Sequence, residues 1–158
     1  VNLLGLGFVA DVAHRANRYK RWGALSYVIG VFQITRQLSF YKLKMDIDGR
    51  QIERDNCFVE VCNSTKTGGN MIMAPMAKID DGELDVIIMN QISKSDLLKA
   101  FPKIFKGTHI DIPEVEVFRG REIHIETSVD KILTPDGEFL GQTPLNISVS
   151  PQKLQVYA

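Results

Sequence analysis

Beyond residue 40 the hydrophobic pattern of this chain has a period of two. Tyr41-Lys42-Leu43-Lys44-Met45-Asp46-Ile47-Asp48 alternates apolar and polar side chains without interruption. A strand sends successive side chains to opposite faces, so the pattern predicts a strand buried on one side. Asp48-Gly49 follows, a pair suited to a tight hairpin because both central positions tolerate positive φ. The returning strand runs through Phe58-Val59-Glu60-Val61 and ends near Asn63. Leu84-Asp85-Val86-Ile87-Ile88-Met89 is a further strand, and its apolar run from Val86 implies burial on both faces. Short alternating segments are predicted over 115–118, 122–126, 139–140, 145–149 and 154–157. Many short strands with turn residues between them point to a sandwich or an irregular barrel. The strand–helix alternation of a doubly wound nucleotide-binding domain is missing.

Helices are few. Val9, Val12, Ala13 and Ala16 recur at helical spacing, as do Leu25, Val28, Ile29 and Phe32. A third helix carries Leu97, Leu98, Phe101, Ile104 and Phe105. Ser93 or Ser95 can cap it, Pro102 should kink or break it, and Gly107 can end it. The expected fold class is mainly β with a few helices, in one domain over 1–158. The chain opens on Val1-Asn2-Leu3-Leu4 and is read as a fragment of a longer protein.

Charge narrows the partners. Lys plus Arg is 19 and Asp plus Glu is 19, so no overall field draws the chain to nucleic acid. His14, Arg15, Arg18, Lys20 and Arg21 form a local basic stretch. It reads as a solvated helix end or as a contact for phosphates or an anionic membrane surface. Cys57 and Cys62 are five apart in one strand, on opposite faces by alternation, which argues against a disulfide and for a cytoplasmic setting. No apolar run is long enough to span a bilayer as a helix.

Two acidic turns carry the candidate chemistry, Asp80-Asp81-Gly82-Glu83 and Pro135-Asp136-Gly137-Glu138. A carboxylate on a tight turn can coordinate a hard cation beside backbone carbonyls. It can also take the proton from a hydroxyl nucleophile during phosphoryl transfer. The ordinary role of an Asp-Gly pair is the turn itself. His14, His109 and His124 share no ligand spacing and read as surface or packing residues. Gly68-Gly69 does not have the order of a phosphate loop.

Taken in order, these segments resemble a known family. Gly5-Leu6-Gly7-Phe8-Val9-Ala10-Asp11-Val12 is similar to the glycine-rich entry to the second domain of the diacylglycerol kinase and sphingosine kinase-like lipid kinases. Cys62-Asn63-Ser64, Gly68-Gly69, Pro75, Ala77 and Asp81-Gly82-Glu83-Leu84-Asp85 resemble that family's central block. Phe105-Lys106-Gly107-Thr108-His109 and Asp136-Gly137-Glu138 resemble the elements that follow. The resemblance covers nearly the whole chain.

The resemblance implies the β-sandwich second domain of the NAD kinase/diacylglycerol kinase-like fold, which encloses the lipid. The Gly-Gly-Asp-Gly loop of the ATP-binding first domain is absent from this sequence. The chain is therefore expected to be the substrate half of an ATP-dependent lipid kinase, inactive alone, with the N-terminal kinase domain as its partner. Asp136 is the implied general base and Glu138 its support, although some relatives place the base on the nucleotide loop. Asp81 matches a residue that holds a structural Mg2+, with main-chain carbonyls at positions matching Lys78 and Glu83. Leu25, Val28, Ile29, Phe32, Met71, Met73, Phe101 and Phe105 are the implied lining of an apolar cleft. The expected setting is the cytoplasmic face of a membrane, bound peripherally, and exposed sandwich edges permit a homodimer. A lipid-binding module without catalysis is the alternative, and a nicotinamide-nucleotide kinase relative a more distant one.

Overall fold

A computed structural model describes residues 1–17, 35–67 and 70–150. The chain enters as strand β1 (Leu3–Gly7) and passes without a loop into helix α1 (Phe8–Asn17). Gly7 makes that corner. Its φ is 77°, and a Cβ there would lie 2.6 Å from the carbonyl oxygen of Cys57 and from the hydroxyl of Tyr41. Only glycine meets both demands.

The alternating segment is β2 (Tyr41–Ile47), buried at every second residue. Asp48 and Gly49, at φ 51° and 86°, turn the chain back. The returning β3 (Arg50–Cys62) is the longest strand described. Next come a small ribbon, β4 (Lys66–Thr67) with β5 (Met71–Ile72), and then β6 (Leu84–Asn90), buried along nearly its whole length. Helix α2 (Lys94–Ala100) starts where the Ser93 hydroxyl accepts the Asp96 N–H at 3.1 Å. The α-helix gives way at Pro102 to a 3-10 segment, Phe101–Lys106, that ends at Gly107 in the left-handed region. A second 3-10 turn (Thr108–Asp111) leads to β7 (Val115–Gly120), β8 (Glu122–Thr127), β9 (Leu133–Pro135) and β10 (Leu145–Ser148).

Among the described residues all pairing is antiparallel, and β3 belongs to two layers. Its first half pairs with β2, which continues to β8 and β10. Its second half lies between β1 and β6, which continue to β9 and β7. The register shifts between Asn56 and Phe58, where the strand changes layer. There the buried Asn56 amide donates to the carbonyls of Phe58 (3.0 Å) and Met89 (2.9 Å). Leu6, Leu43, Met45, Val59, Val86, Ile88 and Ile125 fill the space between the layers. A second cluster, built on Leu3, Phe58, Ile87 and Met89, lies on the opposite face of the β9-β1-β3-β6-β7 layer, under α1 and α2.

The sandwich expected from the sequence is therefore present, with two differences of detail. Residues 139–140 form no strand: Phe139 and Leu140 lie in an exposed turn, and Leu133–Pro135 takes the place beside β1. Cys57 and Cys62 do not face apart, because the bulge turns Cys57 into the cluster that holds Cys62. Both remain free thiols, as the spacing suggested. The second helix, the basic stretch from His14 to Arg21 and the 154–157 strand fall outside the described side chains.

Candidate functional site

The helical face of the β9-β1-β3-β6-β7 layer encloses a cavity of about 100 Å³. Its walls are apolar: Leu3, Phe8 and Val12 on one side, Leu97, Phe101 and Ile104 on the other, with Met71, Met73 and Met89 between. Thioether side chains adapt to irregular contents, which suits a variable apolar ligand. Met71, Met73 and Phe101 are where the expected lining put them. Phe105 is not: it is 42% exposed and stacks edge-on against Phe101 from outside.

Asp136 stands at the rim. β9 ends in a tight turn that holds Asp136 at φ 47°. Its carboxylate Oδ1 accepts the N–H groups of Asn2 (2.9 Å) and Leu3 (3.0 Å), and its own N–H donates to the Leu3 carbonyl at 2.8 Å. The turn is thereby tied to the start of β1. A carboxylate offers about four acceptor positions, so two backbone donors leave room for a ligand hydroxyl. Glu138 closes the same turn through its N–H to Pro135 (2.9 Å), but its side chain is exposed and does not line the cavity.

Four further polar side chains, Glu60, Thr67, Thr134 and His109, line the cavity, and none was singled out from the sequence as functional. Glu60 is 6% exposed, and burial pushes its carboxyl up to about 8. The shift favours its neutral form. Thr134 is buried and donates its hydroxyl to the Gly5 carbonyl at 3.0 Å. His109 is 1% exposed, and neither ring nitrogen completes a hydrogen bond, although the Met73 main chain lies beside it. Burial holds the ring below its ordinary pKa, hence neutral. The signal for Glu60 was present: it is the one charged residue type in the run Cys57-Phe58-Val59-Glu60-Val61-Cys62.

The other acidic turn precedes β6. Asp81 Oδ1 accepts the Glu83 N–H at 3.0 Å, and Arg119 binds Asp81 Oδ2. The same guanidinium approaches Glu83 at 3.3 Å and the buried Asp85 at 3.4 Å. The Glu83 N–H is the main cause that holds the Asp81 carboxyl below the usual range, with Arg119 and Lys78 adding to it. Burial raises Asp85. Three carboxylates around one guanidinium leave negative charge over, and the donors are oxygens, so the turn fits a hard cation in kind. Among the described residues no three His, Cys, Asp or Glu side chains converge as ligands. A cation there depends on the Lys78 and Glu83 carbonyls and on water, and shares Asp81 with Arg119.

Strand register relates the two turns. Asp85, Cys62 and Leu3 are paired across β6, β3 and β1, and Asp136 bonds to Leu3 from beyond β9. Both turns thus lie at one end of the layer, three strand spacings or about 14 Å apart. That is too far for one ion at Asp81 to touch a group bound at Asp136.

The fold and cavity define a β-sandwich domain with an apolar cavity beside a turn carboxylate. The chain belongs to the family of YegS C-terminal NAD kinase beta sandwich-like domains, whose family model matches residues 2–158. It is 33% identical over 153 residues to a diacylglycerol kinase of Mycobacterium tuberculosis (strain ATCC 25618 / H37Rv), covering 95% of this chain and 49% of that relative. It is 23% identical over 159 residues to a diacylglycerol kinase of Staphylococcus carnosus (strain TM300), covering 99% of this chain and 52% of the relative. The chain thus spans about half the length of the curated relatives it matches. A crystal structure of a diacylglycerol kinase from Bacillus anthracis str. Sterne superposes with a TM-score of 0.60 at 19% identity, over 93% of this chain and 45% of that one, and shows the shared fold. No helix among the described residues is long and apolar enough to cross a membrane.

Proposed function

We propose that this chain is the lipid-binding half of an ATP-dependent kinase that phosphorylates a lipid hydroxyl. The observation that carries the reading is the Asp136 carboxylate at the rim of an apolar cavity of about 100 Å³. The names of the relatives support it. An alcohol is a weak nucleophile, and a positioned carboxylate that accepts its proton contributes roughly 10²–10⁴-fold. In this reading the lipid tail lies among the methionines and its hydroxyl meets Asp136. The hydroxyl oxygen bonds to the γ-phosphorus of ATP, its proton passes to Asp136, and ADP leaves. ATP is held by an N-terminal kinase domain of the same protein. Glu138 adds negative charge to the solvent side of the turn.

Asp81, with the Lys78 and Glu83 carbonyls, would hold a Mg2+ at this turn, where its charge would offset the acidic end of the sheet, a structural role at that distance from Asp136. Phe105 is exposed between Lys103 and Lys106, next to the cavity-lining Phe101 and Ile104. An apolar ring between two lysines suits peripheral contact with an anionic membrane on its cytoplasmic side. A lipid-binding module without catalysis is the second reading, favoured by the structural bonds that Asp136 makes to β1.

The deciding experiment is phosphate transfer from labelled ATP to lipids in mixed micelles by the full-length protein. Asp136→Asn keeps an oxygen for the Asn2 and Leu3 N–H groups and should fold. It should lose at least 10²-fold in kcat if Asp136 is the base. Wild-type turnover in that variant removes Asp136 from the mechanism. Lipid binding without transfer in the wild type supports the non-catalytic module.

A further inference from the structure

The cavity holds a second polar level that the reaction at Asp136 does not use. Glu60 on β3, Gly5 on β1 and Thr134 on β9 are paired in one cross-strand row. Gly5 leaves the room they occupy: a Cβ there would lie 2.9 Å from Glu60 Oε2 and 3.1 Å from Thr134 Oγ1. Thr134 and Asp136 are two residues apart on the same strand edge and both line the cavity. The Glu60–Thr134 row therefore sits about 7 Å deeper than Asp136, two residues of strand rise.

We infer that Glu60 is a specificity-determining residue that hydrogen-bonds the ester carbonyl of an acylglycerol whose free hydroxyl lies at Asp136. The inference rests on the lipid-kinase reading and names its substrate class. Thr134 spends its proton on the Gly5 carbonyl, so at this level Glu60 is the available donor. A protonated carboxyl wants an uncharged acceptor. In an acylglycerol the ester carbonyl oxygen is five or six bonds from the free hydroxyl oxygen, at about 1.2–1.5 Å per bond. That span reaches from Asp136 to the Glu60 level. The amine of a sphingoid base is only three bonds from its hydroxyl and stays near Asp136. A fully apolar tail would leave the buried Glu60 carboxyl without a partner, which is costly.

The test compares 1,2-dioctanoylglycerol, its diether analogue without carbonyls, and sphingosine as acceptors for the full-length protein, with melting temperatures measured alongside. The wild type should prefer the diester over the diether about tenfold in kcat/KM, the worth of one hydrogen bond. Glu60→Leu and Glu60→Met should bring that ratio to about one, and Glu60→Gln, which keeps a donor, should retain it. The ratio is internal to each variant, so a loss of folded protein cancels. Equal use of diester and diether by the wild type, or a preference unchanged in Glu60→Leu and Glu60→Met, overturns the inference and leaves the kinase reading standing. Transfer to sphingosine with neither glycerolipid used does the same. Transfer to no lipid overturns both.

Discussion

Glu60 ties stability to pH in a direction opposite to most carboxylates. Its pKa rises from an ordinary 4.5 to about 8 on folding, because burial disfavours the charged form. Between those values the folded protein keeps a proton that the unfolded chain has released. Unfolding then releases a proton, so stability falls as pH rises from about 4.5 to about 8, at up to about 1.4 kcal/mol per unit. Neighbouring groups add slopes of their own. His109 is depressed by burial and works the other way at low pH, and Cys62 is raised well above its ordinary value by burial, with Glu60 and Asp85 adding. Asp136 borders the same space. The difference between wild type and Glu60→Gln isolates the Glu60 part. Denaturant midpoints from pH 5 to 8 should fall more steeply for the wild type, and parallel curves would place Glu60 in water.

The element that organises the rest is β3. It serves both layers because the register slips at Asn56, and the slip is held by one buried amide donating to two carbonyls. Asn56→Ala leaves the Phe58 and Met89 carbonyls unpaired in the interior. It should cost about 1–3 kcal/mol in urea unfolding: two buried carbonyls lose a donor, and removal of Asn56 Oδ1, itself buried without a partner, offsets part of that. A loss under 0.5 kcal/mol would mean that the strand bends without that bond. Helix α2 teaches a simpler point. Ser93 caps it, Pro102 ends its α-helical part and Gly107 ends the 3-10 continuation, all chemically local events that the residue types announce.

At the scale of the molecule, closing the sandwich brings two turns 55 residues apart in sequence to one end of one sheet. Arg119 on β7 meets Asp81, Glu83 and Asp85 there. With Mg2+ at about ten times its dissociation constant, ligand linkage predicts about 1.4 kcal/mol of added stability. That is a rise of a few degrees in the melting temperature of the full-length protein. Asp81→Ala should abolish the rise. An unchanged melting temperature in the wild type, with and without the ion, removes the metal from this turn.

Much of this architecture could be read from residues alone. The alternation from Tyr41 to Ile47, the Asp48-Gly49 turn and the buried run of β6 each report a local preference: side-chain period, positive φ, burial on both faces. β1 and β9 were not legible. Leu3-Leu4-Gly5-Leu6-Gly7 has two glycines and β9 has three residues, and both are strands because partners supply hydrogen bonds on their edges. The acidic turns were visible as Asp-Gly pairs, and their position at one end of a sheet was not. Glu60 was visible only as a charge in an apolar run. The row it forms with Gly5 and Thr134 depends on registers between strands more than fifty residues apart, and no local window contains them. Periodicity and turn chemistry therefore determined the kind of fold and its candidate carboxylates. Only the tertiary structure decided which polar groups share one cavity, because long-range pairing sets burial, and burial favours their neutral forms.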